Sequence, residues 1–202
     1  HTKKGIKFSL QHNDKVYNFF VPGHAEFNVY NATAAIAAAN AVGFDVEEAG
    51  LRLESFKNVE KHFEFNNGIN GSTIIDDTWS TNPTSAASAL KLLKRLSKGK
   101  KTIAVLGKMS LLGKHSKELH YEIGAKVAQL GIDLLVALGN GTEEMVRGAM
   151  ENGMDEQDVF FCRGSDEAYE VLERILDSDS IVLVKTSMLA SYKDLMDKLI
   201  MK

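Results

Sequence analysis

Four short polar segments contain most of the residues that could do chemistry, and each follows an apolar run typical of a strand. They are residues 76–79 (DDTW), 107–109 (GKM), 139–142 (GNGT) and 185–187 (KTS). In open α/β sheets, ligands bind beyond the carboxyl ends of the strands. We therefore expect these four segments to be loops at one edge of a sheet and to contain the functional residues.

Asp76 and Asp77 stand together at the end of the first of these strands. Neighbouring residues of a strand point to opposite faces, so the two carboxylates are not expected to act as a pair. One of them should face the cleft, where a carboxylate can hold ribose hydroxyls or a hydrated cation. Either one can instead cap the following turn, and the residues alone leave both interpretations open.

The two glycine-containing loops are weaker indications of anion binding. A phosphate-binding loop has four residues between its glycines, followed by Lys and then Ser or Thr. Here five residues separate Gly107 from Gly113, and His115 stands in place of the hydroxyl, so we interpret this segment as a plain strand-to-helix loop. Residues 139–142 can present backbone amides to an anion at a helix N-terminus, but a tight turn with Thr142 as the N-cap is the favoured interpretation.

Neither the histidines nor the cysteine predict a reactive centre. The six histidines show no metal-ligand spacing, and His115 and His120 are five positions apart, which places them off one helix face. Cys162 ends an apolar run with no base predicted beside it, so a core position is favoured over a nucleophile. We predict no metal site in the chain.

The composition excludes several classes of protein. Of the 202 residues, 44% are hydrophobic and 25% are charged, which is typical of a globular chain rather than a disordered one. The net charge of −3 argues against a nucleic-acid-binding face. A single cysteine excludes a disulfide framework and suits a reducing cytosol. No apolar run approaches the roughly 20 residues that span a bilayer, and a chain without an initiator Met is expected to belong to a longer polypeptide.

Two different hydrophobic patterns divide the chain. Residues 5–21 alternate around a polar turn, which predicts a β-hairpin, and an alanine-rich helix (28–42) and a shorter helix (46–55) follow. A second hairpin (62–77) precedes alternating helices and strands, and the runs IAVL, LLVAL and IVLV are apolar on both faces. These features predict a doubly wound, Rossmann-like α/β fold with a parallel sheet, preceded by a hairpin-plus-helices segment.

Four segments, in order along the chain, resemble motifs of the Mur ligases. Residues 28–35 (NVYNATAA) are similar to the family pattern HNxxNAxAA, and 76–83 (DDTWSTNP) to DDSYNANP. Residues 104–109 (AVLGKM) are similar to AVLGDM, and 182–187 (VLVKTS) to VLVKGS. The last three patterns are those of members that add D-alanyl-D-alanine, and the matches extend over nearly the whole chain.

This resemblance implies an ATP-dependent amide ligase of peptidoglycan precursor synthesis. Such an enzyme joins a UDP-N-acetylmuramoyl-tripeptide to D-alanyl-D-alanine through an acyl phosphate, as a cytoplasmic monomer without a nucleic-acid partner or membrane insertion. Residues 1–58 would be the C-terminal tail of its central ATP-binding domain, and 59–202 its C-terminal, amine-substrate domain. ATP and Mg²⁺ would be bound mainly by sequence upstream of His1, so the chain alone is expected to contain no catalytic residue and to be inactive.

The resemblance also implies roles for individual residues. Asn28 and Asn31, three apart on one helix face, would line the adenine pocket, and Asp77 would bind ribose. His62 occupies the position of a family arginine, 15 residues before Asp77, that is directed at the ATP phosphates. The residues implied in substrate binding are Thr78, Trp79, Asn82, Lys185 and Ser187.

Several polar positions depart from the family patterns. The departures are Phe27 for His, Trp79 for Tyr, Lys108 for Asp, Leu111 for Glu and Met188 for Arg. With His62 and Met188, two guanidinium groups are lost, and histidine is only partly charged near neutrality. Two other hypotheses therefore stay open: a divergent Mur-type ligase that joins a different amine and carboxylate, and a non-catalytic pseudo-ligase that binds nucleotide or a partner. A G-x-x-x-x-G-K-[ST] sequence upstream of His1 would favour catalysis over the last of these.

Overall fold

The structure is a computed structural model, and it describes residues 5–23, 25–57, 59–190 and 192–201. The chain divides into two compact units, His1–Val59 and Glu60–Lys202, and each is described by itself. The predicted boundary follows Asn58, which lies outside the described residues, and the assignment of the first unit to an ATP-binding domain stays a prediction. Within the described ranges, no helix has both the length and the apolar character needed to cross a membrane.

The first unit is an antiparallel hairpin with two helices packed against it, as predicted. Its elements are β1 (Gly5–His12), β2 (Lys15–Pro22), α1 (Phe27–Ala41) and α2 (Val46–Arg52). The alternation of the strands turns Ile6, Phe19 and Val21 inward, where they pack with Ala32 and Ile36 of α1. Burial of these apolar side chains gives the unit its core.

The second unit is a six-stranded sheet with helices on both faces. Its strands are β3 (Glu64–Asn67), β4 (Thr73–Asp77), β5 (Lys101–Gly107), β6 (Leu134–Leu138), β7 (Val159–Cys162) and β8 (Ser180–Lys185). Its helices are α3 (Pro83–Leu96), α4 (Ser116–Gln129), α5 (Glu143–Glu151), α6 (Ser165–Ile175) and α7 (Lys193–Leu199). The strand order is β3-β4-β8-β5-β6-β7, in which β3 is antiparallel to β4 and the other neighbours are parallel. The predicted doubly wound parallel sheet is confirmed, and the second hairpin adds an antiparallel edge strand.

The strands lie as they do because their apolar side chains are covered on both faces. Every residue of β6 and β8 is buried. The helix α4 packs on both α3 and α5, and α6 packs on α7. Ile74, Val182 and Val184 of the sheet share a core cluster with Leu172 of α6 and Leu195 of α7. Cys162 belongs to this cluster, which agrees with its predicted core position.

The position of β8 between β4 and β5 brings the polar segments together. The connection from β4 to β5 passes over one strand position, and β8 later fills that position. Asp77 is thereby the register partner of Lys185, and Lys185 is also level with Leu106 of β5. The loops after β4, β5 and β8 therefore begin at the same edge of the sheet.

Candidate functional site

A buried ion pair joins the ends of β4 and β8. The Nζ atom of Lys185 lies 2.7 Å from Oδ2 of Asp77 and donates a second hydrogen bond, 3.0 Å long, to the carbonyl oxygen of Ser80. The side chains of Lys185 and Asp77 are only 3% and 15% exposed. A buried lysine is tolerated because its charge is paired and its donors are used. Lys185 thus fixes both Asp77 and the loop that follows it.

Asp76 points to the other face of the sheet and makes a different set of contacts. Its Oδ1 atom accepts the backbone N–H of Thr78 at 3.0 Å and the Thr78 hydroxyl at 2.7 Å, which is the turn-capping arrangement, one of the two interpretations that the sequence left open. Burial raises the pKa of the Asp76 carboxyl, and the hydrogen bonds from Thr78 oppose that shift. The two neighbouring carboxylates do not act as a pair, in agreement with the alternation of the strand.

Asp76→Asn is expected to raise the thermal unfolding midpoint of the chain by a few degrees at neutral pH. The raised pKa of Asp76 means that the native state favours the neutral carboxyl, and asparagine is always neutral while keeping an oxygen for Thr78. Folding favours the protonated form of Asp76, so protonation stabilises the wild-type protein. This stabilisation is fully present below the unfolded-state pKa of about 3.9 and is lost as the pH rises through the native pKa. Thermal melts should therefore show the advantage of the variant shrinking from about pH 7 to about pH 3. A variant less stable than wild type at neutral pH would contradict the assignment.

His62 lies in a strongly bent segment beside Trp79. Its Nδ1 atom is 2.9 Å from the carbonyl oxygen of Glu60, which can only accept, so Nδ1 carries the hydrogen. The rings of His62 and Trp79 are 5.5 Å apart between centroids and tilted by 35°. Lys61 and Phe63 have φ angles of 59° and 57°, left-handed values that cost about 1–3 kcal/mol for residues other than glycine. This geometry holds the imidazole in place, and its role toward phosphate stays a prediction.

The two asparagines assigned to adenine lie in the first unit and have different surroundings. Asn28 is 5% exposed, and its Nδ2 atom donates to the carbonyl oxygen of Pro22 at 3.3 Å. Asn31, one turn later on α1, is exposed. Their shared role in binding one ligand edge stays a prediction, and Asn28 has a structural partner that the spacing did not indicate.

Other residues assigned to substrate binding make local contacts. The Oδ1 atom of Asn82 accepts the N–H of Ser85 at 2.9 Å, and the Ser85 hydroxyl accepts the N–H of Asn82 at 3.1 Å. With Pro83 in the first turn, this is a capping box at the start of α3, and the sequence Asn-Pro-x-Ser is its signal. Ser187 Oγ accepts the N–H of Leu189 at 3.3 Å, and Trp79 is half exposed. Substrate roles for these residues stay predictions.

The loop after β5 does not have the arrangement of a phosphate cradle. The N–H of Met109 points inward to Nε2 of the fully buried His120 at 3.0 Å, and His120 Nδ1 donates to the carbonyl oxygen of Ser116 at 2.6 Å. At Gly107 an added Cβ would lie 2.9 Å from a methyl carbon of Thr186, so this glycine allows close approach of β5 and β8. The interpretation of 107–115 as a strand-to-helix loop agrees with these contacts.

The loop after β6 is a tight turn, but Thr142 does not cap α5 as predicted. Its hydroxyl donates backward to the carbonyl oxygen of Gly139 at 2.7 Å and forms no side-chain cap. The Gly141 N–H donates to the carboxylate of Glu143 at 2.7 Å. Since the protein itself occupies this amide, the turn interpretation is favoured over an anion site.

A cavity of about 350 Å³ lies beyond the ends of β4 and β8. Asp76, Thr78 and Ser187 line it, as do Thr186 and Tyr192, which were not singled out from the sequence. The Tyr192 hydroxyl donates to the carbonyl oxygen of Leu138. The other lining residues are Lys61, Met188, Lys193, Met196, Asp197 and Ile200. The C-terminal residues of this set come from the start and the inner face of α7, which no short motif identifies.

Comparisons with known proteins agree with this fold. Residues 63–188 match the family model described as Mur ligase, glutamate ligase domain. The UDP-N-acetylmuramoyl-tripeptide--D-alanyl-D-alanine ligase of Bacillus subtilis is 28% identical over 186 residues, covering 92% of this chain and 40% of the relative. The crystal structure of MurF from Acinetobacter baumannii superposes with a TM-score of 0.83 at 26% identity, covering 96% of this chain and 42% of that one. MurF from Thermotoga maritima, solved in complex with ADP, has a TM-score of 0.78 at 19% identity over 98% of this chain and 44% of that one, and shows the shared fold alone.

The match covers only part of each relative. The chain spans about 40% of the length of these relatives. The family model nonetheless covers more than half of the chain, and it includes β3 through β8 and the polar loops that follow β4, β5, β6 and β8. On these grounds the chain belongs to the Mur ligase family.

Proposed function

We propose that this chain is the C-terminal part of an ATP-dependent amide ligase of peptidoglycan precursor synthesis. Its reaction would add D-alanyl-D-alanine to a UDP-N-acetylmuramoyl-tripeptide, in the cytoplasm and with the enzyme as a monomer. The observation that carries the proposal is the arrangement at the edge of the sheet. Asp77, which Lys185 binds, ends the β3–β4 hairpin, and His62 lies beside Trp79 in the bent segment that leads into this hairpin. The family membership and the name of the Bacillus subtilis relative support it.

Asp77 has the acceptor that a ribose hydroxyl requires. Lys185 binds Oδ2, and within the described part of the chain no hydrogen bond reaches Oδ1. The ion pair fixes the orientation of the carboxylate, so Oδ1 can accept from a hydroxyl without reorganisation. Bound ATP would supply the phosphoryl group that activates a substrate carboxylate toward an amine. A protonated His62 would place a positive charge toward the phosphates.

The described residues do not by themselves fit a magnesium site. Among them, no group of three or more His, Cys, Asp or Glu side chains could hold a metal ion. The proposal therefore assigns no Mg²⁺ ligand to this chain and no catalytic residue within it. What the chain contributes is binding and orientation of nucleotide and amine.

A divergent ligase for another amine is the second candidate. It is favoured by Lys108, which replaces the acidic residue of the family pattern and whose aliphatic carbons approach Gly141 in the next loop. A cation at this position would change the charge presented to an amine substrate. Substrate profiling of the longer ligase with different amines separates the two candidates.

The 202-residue chain alone is expected to release no ADP from ATP above background. Its glycine loop at 107–115 directs an amide to His120 rather than to a ligand, and the positioning apparatus of phosphoryl transfer would lie elsewhere. Coupled ADP-release assays should compare the chain with the longer ligase in the presence of both substrates. Robust turnover by the chain alone would refute the domain assignment, whereas an inactive longer ligase would favour the pseudo-ligase hypothesis.

A further inference from the structure

One stretch of the chain carries positive charge only. Residues 78–117 contain no Asp or Glu, although the whole chain has 27 acidic residues against 24 Lys and Arg. Six cations of this stretch fall within residues 91–101 and form what we call the basic patch: Lys91, Lys94, Arg95, Lys98, Lys100 and Lys101. They follow the second half of α3 and the start of β5. The patch therefore lies at the edge of the sheet opposite to the one where β4 and β8 end.

The helical part of the basic patch has a single exposed face. Lys91, Lys94 and Arg95 are spaced at i, i+3 and i+4 on α3 and are exposed, whereas the leucines between Lys91 and Lys94 are buried. Lys98 continues this face one position beyond the C-cap, with a φ angle of 50°. A helix C-terminus favours cations in its last turn, which accounts for Lys94 and Arg95 but not for Lys91 or Lys98.

Neighbouring carboxylates balance only part of this charge. Asp133 directly precedes β6, and Asp177 and Asp179 lie just before β8, so all three are at the same edge of the sheet as the patch. Six cations against three carboxylates leave an excess of three positive charges at this edge. The chain as a whole has a net charge of −3, so the patch is opposite in sign to the rest of the molecule.

The contacts of the patch lysines leave their charge in place. The Nζ atoms of Lys94 and Lys100 donate to the carbonyl oxygens of Gly131 and Ser178, which are neutral acceptors. Within the described ranges, the other three lysines of the patch form no ion pair. Long side chains with unpaired charge on an exposed helix face can contact a second surface without losing an internal partner.

The shape and composition of the patch select among anionic partners. A free anion needs donors that converge on it, whereas these side chains follow a convex helix face. Single-stranded nucleic acids are bound by stacking of their bases on aromatic side chains, and residues 80–120 contain no Phe, Trp or Tyr. A layer of anionic phospholipid headgroups requires neither convergence nor stacking, and it is recognised by clusters of four to eight Lys and Arg on a helix.

We propose that the basic patch docks the chain on an anionic phospholipid surface, reversibly and without insertion. At such a surface each lysine or arginine strengthens binding by about fivefold. The opposite edge of the sheet, with Asp77 and Lys185, would face away from the lipid and stay open to small molecules. This inference goes beyond the proposed function and does not rest on it.

Flotation of the 202-residue chain with phospholipid vesicles tests the proposal. At about 50 mM salt the chain should float with phosphatidylcholine vesicles that contain about 40% phosphatidylglycerol, and not with vesicles of phosphatidylcholine alone. Raising the salt to about 500 mM should release it, because exposed charges are then screened within a few ångströms.

Two double variants separate the patch from general charge effects. Lys91→Gln/Lys98→Gln should weaken partitioning into the anionic vesicles by about twentyfold. Lys114→Gln/Lys117→Gln removes the same charge from exposed positions at the other edge of the sheet, where α4 begins, and it should stay within about threefold of wild type. All four positions are exposed, and circular dichroism of each variant reports its folding.

A single-stranded uridine oligonucleotide distinguishes a lipid surface from a nucleic acid. At an equal concentration of phosphate groups it should leave the chain on the vesicles. Displacement would overturn the lipid assignment in favour of a nucleic-acid face. Flotation with phosphatidylcholine alone, equal losses in the two double variants, or no binding to anionic vesicles at low salt would also overturn the proposal.

Discussion

Lys185→Met is expected to lower the free energy of unfolding of the chain by about 3–5 kcal/mol, the range for removal of one partner of a buried ion pair. The substitution leaves the Asp77 carboxylate, 15% exposed, without its cation and removes a donor from the Ser80 carbonyl. Methionine matches the apolar stem of lysine, so lost packing contributes little. Chemical denaturation of the wild-type and variant chains measures the difference.

Lys198→Met is the matched control. Lys198 also pairs with an aspartate, Asp166, at 2.6 Å, but the two side chains are 43% and 85% exposed. Exposed pairs are weak because water screens the two charges, so the control should cost far less than Lys185→Met. The double variant Lys185→Met/Asp77→Leu should recover part of the loss because it leaves no unpaired charge in the interior. Equal, small losses for Lys185→Met and Lys198→Met would show that the buried pair does not stabilise the fold.

The elements of the fold were predictable because their signals are local. The hairpin at 5–21 alternates every second residue, and the central strands are apolar on both faces, which only a sheet covered by helices on both sides satisfies. The cap at Asn82 was equally predictable, since Pro83 and Ser85 supply its signals, but the family resemblance directed attention to a substrate role.

The contacts within the site could not be read from local patterns. Lys185 and Asp77 are 108 positions apart, and they meet only because β8 inserts between β4 and β5 and aligns them in register. The strand alternation did separate Asp76 from Asp77, but it could not say which one a lysine would bind. Thr186 lies in the predicted polar loop 185–187, but no pattern distinguished it from its neighbours, because it lines a cavity whose wall comes from α7.

The second large effect concerns nucleotide binding by the longer ligase. His62→Arg is expected to tighten ATP binding by about tenfold, because a permanent guanidinium replaces a partly charged imidazole at the position of the family arginine. His62→Gln should weaken ATP binding, since the amide keeps hydrogen-bonding capacity without charge. Isothermal titration calorimetry measures the ATP affinity of the wild-type ligase and of both variants.

The pH dependence of ATP binding distinguishes charge from shape at His62. Wild-type affinity should weaken as the pH rises, because only a protonated imidazole attracts phosphate, and both variants should show a flatter profile. His115→Gln is the matched control, because His115 is exposed in the loop after β5 and only approaches Glu118 at 3.4 Å. It should retain the wild-type profile. If all four proteins have the same affinity and the same profile, His62 only begins the hairpin that leads to β4. The bend at Lys61 and Phe63 would then serve its packing against Trp79 rather than a phosphate.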